Sequence, residues 1–223
     1  MSEGTEHVRA YTALRDLVLL GEVAPGQSLT IHGAADRIEA GITPVREAIR
    51  RLVAEGALRL GDNRRVCVPR MTETQLADLA LARFRLEPEL ARRAVGALDP
   101  AGIARLEGLD RDARAALSQG DVGGYLRHNH AFHFGIYEAA GSDILSQIVG
   151  ALWLRLGPAM RSVGGFFRNE HGGIAAPSVD EEPHLQAIAA MHRRDPVGLA
   201  QAIEKDIARG TSLIARGLSE GKL

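Results

Sequence analysis

Two spacings in this sequence can carry chemistry. In TPVREAIRRLVAEGAL, from Thr43 to Leu58, Arg46 and Arg50 stand one helical turn apart with Thr43 just before them. A short helix offering arginines and a threonine near its N-terminus suits insertion into a DNA major groove, where guanidinium groups take base edges or phosphates. The same residues also describe a solvated amphipathic helix with ordinary surface arginines. Further on, Arg64-Arg65 can follow phosphates or enter a minor groove. The second spacing lies in LRHNHAFHFGIYEAAG, where Asn129 and His133, one turn apart, project from one helix face. An amide oxygen and an imidazole placed so are either ligands for an ion or satisfied groups of a core. His128 and His130 point elsewhere on that helix, and His7, His171 and His192 carry no signal.

The elements that must position these residues can be read from periodicity and punctuation. Val45, Ile49, Leu52 and Val53 form one apolar stripe on the arginine-bearing helix. Thr43 is read as its N-cap, Pro44 as its first residue and Gly56 as its stop, with Glu47 in the first turn. Before it, Met1 to Thr5 should be loose, Glu6 to Leu20 helical, Gln27 to Ile31 extended, and His32 to Glu39 a second helix. After it, Ala57 to Leu60 and Val66 to Pro69 read as a β-hairpin around Gly61-Asp62-Asn63-Arg64. From Thr72 the pattern is helical throughout. The expected spans are Thr72 to Leu98 (bent or reset by Pro88), Pro100 to Gln119, Asp121 to Ala140, Ser142 to Arg161, Asp180 to Arg193 and Pro196 to Leu218. A glycine-rich stretch, SVGGFFRNEHGGIAAPSV, separates the fourth of these from the fifth.

Composition sets the bounds. The 223 residues suffice for one large domain or two smaller ones, and the formal net charge is only −1. DNA affinity therefore needs a local patch. The segment from Arg46 to Arg70 supplies seven arginines against Glu47, Glu55 and Asp62. The single cysteine, Cys67, excludes an intramolecular disulfide and fits a reducing compartment. No apolar run is long enough to span a bilayer, and the N-terminal stretch lacks the layout of a signal peptide, so a cytoplasmic protein is expected.

Over about fifty residues the N-terminal segment resembles the winged helix-turn-helix of the GntR family of bacterial transcription regulators. Gly21, Pro25, Gly26 and Leu29 match the family's lead-in. Ala35, Arg37, Ile38, then Thr43 through Leu52, Glu55 and Gly56 match its core without a gap. Three positions depart: Glu39 stands where the family usually has Gly, Gly41 where it has Ser or Thr, and Ile42 where Arg is frequent. In the hairpin, Arg65 replaces the expected Gly. The stretch from Leu81 to Ala91 resembles the opening of the ligand-binding domain in the FadR branch of that family. Six helices fit the shorter, VanR-like version.

The resemblance implies a mainly α chain, with an N-terminal winged helix-turn-helix over residues 6–70 and an antiparallel all-α bundle over residues 73–220. It implies DNA contacts from Thr43, Arg46, Arg50, Arg64 and Arg65. It also implies a divalent ion (zinc, nickel or manganese) held by Asn129, His133, His184 and Asp206, the last standing where relatives carry a histidine. A carboxylate there should shift preference towards harder ions such as manganese. A small organic acid would bind at the ion, with Arg83 as its guanidinium partner, and the alternative for Arg83 is a surface pair with Glu87. Arg155 and Arg161 are weaker candidates for that partner. The expected protein is a homodimeric, non-enzymatic regulator of a near-palindromic double-stranded operator, with no membrane association. A metal-dependent hydrolase on the same histidines is the rival class, and it lacks a His-Glu-x-x-His motif. A regulator answering to the metal itself stays open.

Overall fold

Most helix starts are closed by a short polar side chain. Thr30, Thr72, Asp99, Asp121 and Asp195 each accept a hydrogen bond from the backbone N–H three residues on, and Thr72 with Gln75 forms a reciprocal capping box. The computed structural model describes residues 3–61, 65–162, 164 and 182–221. Its elements are, in order, α1 (Glu3–Leu19), β1 (Ser28–Leu29), α2 (Ile31–Ile38), α3 (Ile42–Ala54), β2 (Arg59–Leu60) and β3 (Val66–Cys67). There follow α4 (Glu73–Ala94), α5 (Pro100–Ser118), α6 (Val122–Ala139), α7 (Asp143–Ser162), α8 (Pro183–His192) and α9 (Pro196–Ser219). The three strands form one antiparallel sheet in the order β1-β3-β2, with Val66 opposite both Leu29 and Leu60. The chain is thus mainly α, as expected, with a helix-turn-helix and small sheet followed by helices.

The chain divides into two compact units. One contains the residues up to Met71 together with Trp153–Ser162, and the other contains Thr72–Leu152 and the later described residues. In the first unit, α1 and α2 pack on α3, and Leu14, Val18, Val45, Ile49, Leu52 and Val66 are buried. The second half of α7 completes this unit. Trp153, Leu154, Leu156 and Ala159 are buried there. Arg155 Nε donates to the carbonyl of Glu55 at 3.1 Å, and the Arg161 guanidinium donates to the carbonyl of Leu20 at 3.2 Å. Both carbonyls belong to helix C-termini, which lack in-helix donors and take cations well. Gly157 makes the approach possible, since a Cβ there would collide with the Leu19 carbonyl. Arg155 and Arg161 are therefore committed to the ends of α3 and α1, which corrects their reading as effector candidates.

Other expectations are corrected at the boundaries. α1 starts at Glu3, so Glu3 to Thr5 are helical rather than loose. The N-cap of α3 is Gly41, not Thr43, and the cap has no side-chain hydrogen bond. The turn out of α2 is tight enough that α3 begins two residues early. Pro44 then sits third in the helix, still within the first turn where a missing N–H leaves no bond unmade. The hairpin is real but shorter, and its sheet gains β1. The turn at Asp62, Asn63 and Arg64 lies outside the described residues. Pro88 neither resets nor ends α4, and α8 runs from Pro183, the expected start at Asp180 lying outside the described residues.

Glu39 explains one departure from the family pattern. It lies at φ 51°, in the left-handed region, where it ends α2 with its N–H on the Ala35 carbonyl. A side chain there crowds the following carbonyl, and glycine does not. Glu39→Gly is expected to raise stability by about 1 kcal/mol, after the entropy of a glycine in the unfolded chain is offset. Urea unfolding checks this, and an unchanged or lower midpoint refutes it.

In the second unit, α4 packs on α9 and α6, α5 on α6 and α8, and α8 on α9. Leu90, Leu106, Ile136, Ile203 and Ile207 lie in its buried core. Among the described residues no helix is long and apolar enough to cross a membrane.

Candidate metal centre and DNA-facing helix

Three helices of the second unit bring His133 (α6), His184 (α8) and Asp206 (α9) to one point. One donor atom from each lies within 4.8 Å of the others. His133 Nε2 is 3.2 Å from Asp206 Oδ2 and 3.3 Å from His184 Nε2, and His184 Nε2 is 3.8 Å from Asp206 Oδ1. Separations of this size suit atoms sharing one ion through bonds of about 2.0–2.2 Å. Asn129, one turn before His133, is buried, and its Oδ1 has no hydrogen-bond partner among the described residues. A buried amide oxygen left in this way fits a further oxygen donor to the same ion.

The tautomers follow from what stands behind each ring. Tyr137 donates its hydroxyl to Glu87 Oε2 at 2.7 Å, so its oxygen accepts from His133 Nδ1 at 3.1 Å. The proton of His133 is thereby fixed on Nδ1, and the Nε2 lone pair faces the centre. Asp110 Oδ1 takes the Nδ1 proton of His184 at 3.1 Å, with Arg114 at 2.7 Å on its other oxygen. Phe132 stacks on the His184 ring at 4.2 Å between centroids and holds its plane. Two imidazole lone pairs and a carboxylate then converge with no donor of their own. This is an electron-rich centre that calls for a cation.

The protonation tendencies agree with that picture. Burial pulls the His133 imidazole below its ordinary range, although Asp206 works against it, so His133 is the neutral partner. Burial also pushes His184 down, but its hydrogen bond to Asp110 and the charge of Asp206 prevail and raise it. Burial alone would raise the Asp206 carboxyl, yet His133, His184 and Arg83 outweigh it and hold that group well below the usual carboxylate range.

Arg83 and Glu87 do pair, but not on the surface. Arg83 Nε and the adjacent terminal nitrogen reach the two oxygens of Glu87 at 2.6 and 3.1 Å, and both residues are buried. Burial lowers the Arg83 guanidinium, and the charge of Glu87 more than reverses this. A continuous polar chain thus runs Arg83–Glu87–Tyr137–His133. Reading the sequence missed Tyr137 and Asp110. Tyr137 had a usable signal, because Tyr125, Asn129, His133 and Tyr137 recur every four residues along α6. Asp110 had none, since it meets a histidine 74 positions away.

In the first unit, Thr43, Arg46 and Arg50 are exposed on α3, and Arg65 is exposed before β3. Arg64 lies outside the described residues. Arg50 holds Glu47 at 2.6 Å, whereas Arg46 makes no ion pair among the described residues. Arg51 is engaged elsewhere, 2.9 Å from Glu55 and 3.7 Å above the Tyr11 ring, whose hydroxyl also donates to Glu55. That cluster pins α3 to α1 on the side that carries Arg51.

Comparison with known proteins adds to this geometry. Residues 7–68 match the family described as bacterial regulatory proteins, gntR family, and residues 78–209 match the FCD domain. The chain is 31% identical over 203 residues to the HTH-type transcriptional regulator McbR of Escherichia coli strain K12, covering 87% of this chain and 88% of the relative. It is 29% identical over 148 residues to the HTH-type transcriptional repressor GlaR of the same organism, covering 62% and 64%. Among solved structures, E. coli McbR/YncC superposes with a TM-score of 0.86 at 24% identity, over 98% of this chain and 100% of that one. A GntR-type regulator from Rhodococcus sp. RHA1 gives 0.71 at 18% identity, over 95% and 98%. At these identities the structural likeness speaks for the fold.

Proposed function

Since the chain belongs to the GntR family of bacterial regulatory proteins and carries an FCD domain, it is a DNA-binding transcription regulator, and we propose that a small organic acid bound at a divalent ion sets its hold on the operator. In this reading residues 6–70 contact DNA, and residues 73–220 bind metal and effector and dimerise. The observation that carries it is the meeting of His133, His184 and Asp206 with both Nε2 lone pairs turned inward. Asn129 completes the ligand set. The ion supplies positive charge for a carboxylate, and zinc, nickel and manganese are its candidates. Asp206 as a hard oxygen donor inclines the choice towards manganese. Arg83, with Glu87 and Tyr137, sets the orientation of His133 from behind and is the arginine that the family resemblance offers to the effector. Within the family the reading adopts the FadR branch in its six-helix, VanR-like form.

DNA contact falls to Thr43, Arg46, Arg50, Arg64 and Arg65, with α3 in the major groove and the β2–β3 hairpin beside it. A homodimer on a near-palindromic operator follows from matching symmetries. Ile144 and Ile148, exposed one turn apart on α7, are apolar surface that a second copy would cover.

The test uses operator fragments selected from genomic DNA by the protein itself. Their binding is measured after chelation, with added metal, and with metal plus carboxylates. Carboxylates are expected to change operator affinity only in the metal-loaded protein, and an equal response after chelation overturns the reading. Metal alone having the full effect would make the ion the signal. Arg46→Ala is expected to weaken operator binding by about 1–3 kcal/mol while leaving the fold intact. Unchanged affinity in an electrophoretic shift would remove Arg46 from the interface.

A further inference from the structure

The arginine best placed for an incoming acid is not Arg83. Arg209 stands one turn after Asp206 on α9, and Glu182 caps the start of α8 two residues before His184. The two meet at 3.2 Å, so one ion pair straddles two of the candidate metal ligands. Arg209 is the exposed end of this group, whereas Glu182, at 13%, is already more covered than Asp206. The Arg209 side chain is 40% exposed and Asp206 22%, whereas His184 and His133 fall to 6% and 0%. Among the described residues, Arg209 is the cation next to the candidate ligands whose side chain is open to solvent.

Arg83 is closed off. The side chains of Arg83 and Glu87 are 4% and 0% exposed, and the Glu87 carboxylate accepts two bonds from Arg83 and one from Tyr137. A carboxylate that took Arg83 would strand Glu87 as an unpaired buried charge. Displacing Glu182 is far easier. Its side chain makes no capping hydrogen bond to α8, so helix and backbone stay as they are when it swings away.

We propose that Arg209 is the guanidinium that anchors the effector's carboxylate, and that Glu182 is its resting partner, expelled when the acid binds. The inference rests on the organic-acid reading above and names the residue pair that admits the acid. Charge at the centre points the same way. Asp206 neutralises part of the ion's charge where an imidazole would not, so the ion alone holds an anion less well and a second cation nearby is needed. Tyr125, one turn before Asn129, interacts electrostatically with Asp206, Arg209 and Glu182.

The full chain loaded with Mn²⁺ is titrated with citrate and with succinate by calorimetry, as wild type, Arg209→Ala and Glu182→Gln. Arg209→Ala should lose about tenfold or more in carboxylate affinity, as expected for a charge-assisted pair. Its Mn²⁺ affinity should be unchanged. Glu182→Gln should bind the carboxylate several times more tightly, because the competitor for Arg209 has lost its charge. A pair that merely braces α8 against α9 gives the reverse, with Glu182→Gln weakening binding as much as Arg209→Ala. That result overturns the proposal, as does wild-type affinity in Arg209→Ala, or binding of neither acid by the wild type. If the wild type takes up no Mn²⁺, the metal reading has failed. The Arg209 dependence is then read from the same titrations of the metal-free chain.

Discussion

Replacing His133 by Ala is expected to abolish metal binding at the proposed centre, and His184→Ala should do the same. Elemental analysis of protein prepared without chelator makes the measurement. Each substitution removes one of three donors that lie within 4.8 Å of one another. Partners standing behind a ligand are themselves worth about 10–100-fold in metal affinity, so losing the ligand should exceed that. Asp110→Asn falls in the smaller class. It keeps the shape but weakens the hold on His184 Nδ1, and about 10-fold is the expected loss. His192→Ala is the control, since that ring is exposed and its bond goes to Glu107 on α5. Metal retained in both His133→Ala and His184→Ala would show that the ion sits elsewhere. A wild type that neither carries metal nor binds it on titration would dispose of the site.

The second large effect concerns stability. Glu87→Ala should destabilise the second unit by about 3–5 kcal/mol, because it leaves the Arg83 guanidinium buried and unpaired. The comparison that makes this informative is the double variant Arg83→Met with Glu87→Leu. Apolar groups of similar volume remove both charges together and should restore most of the loss. Urea unfolding of the single and double variants gives the answer. If Glu87→Ala costs less than about 1 kcal/mol, the pair is not buried in solution as it is here. In both variants Tyr137 loses its acceptor, so His133 is no longer fixed in one tautomer. Metal affinity should therefore fall even in the double variant, where stability has recovered.

Local features of this fold were legible in the sequence because their causes are local. The stripe of Val45, Ile49 and Leu52, the caps at Thr72, Asp99 and Asp121, and the stop at Gly56 each depend on residues within a turn or so. Thr43 before Pro44 has the residue types of an N-cap and a first helical position. What moved the helix start was the tight turn from Glu39 to Gly41, a backbone property with no residue signature beyond an unexpected glutamate. The Arg83–Glu87 spacing was plain, yet its burial was not, since that depends on Tyr137 of α6 arriving 50 positions later. Asp110 behind His184 and Arg155 on Glu55 are likewise products of tertiary packing, joined across 74 and 100 positions. Asp206 was singled out only through a family pattern that it breaks, and it lies beside both histidines.

Helix α7 has a consequence for how the molecule is made. The first unit is not a contiguous stretch of chain, since its last wall is Trp153–Ser162. Arg155 bonds a carbonyl 100 positions upstream and Arg161 one 141 positions upstream. A ribosome adds about 5–20 residues per second, and chains generally fold from the N-terminus as they emerge. Here the nascent N-terminal segment must wait several seconds with the Leu20 and Glu55 carbonyls without their arginine donors and the apolar flank open to water. Only when α7 has left the exit tunnel can Gly157 close against Leu19. By then α4, α5 and α6 have been synthesised, including the stretch that carries Asn129 and His133. The order of synthesis thus makes the DNA-facing part of the chain the first to be translated and one of the last to be finished.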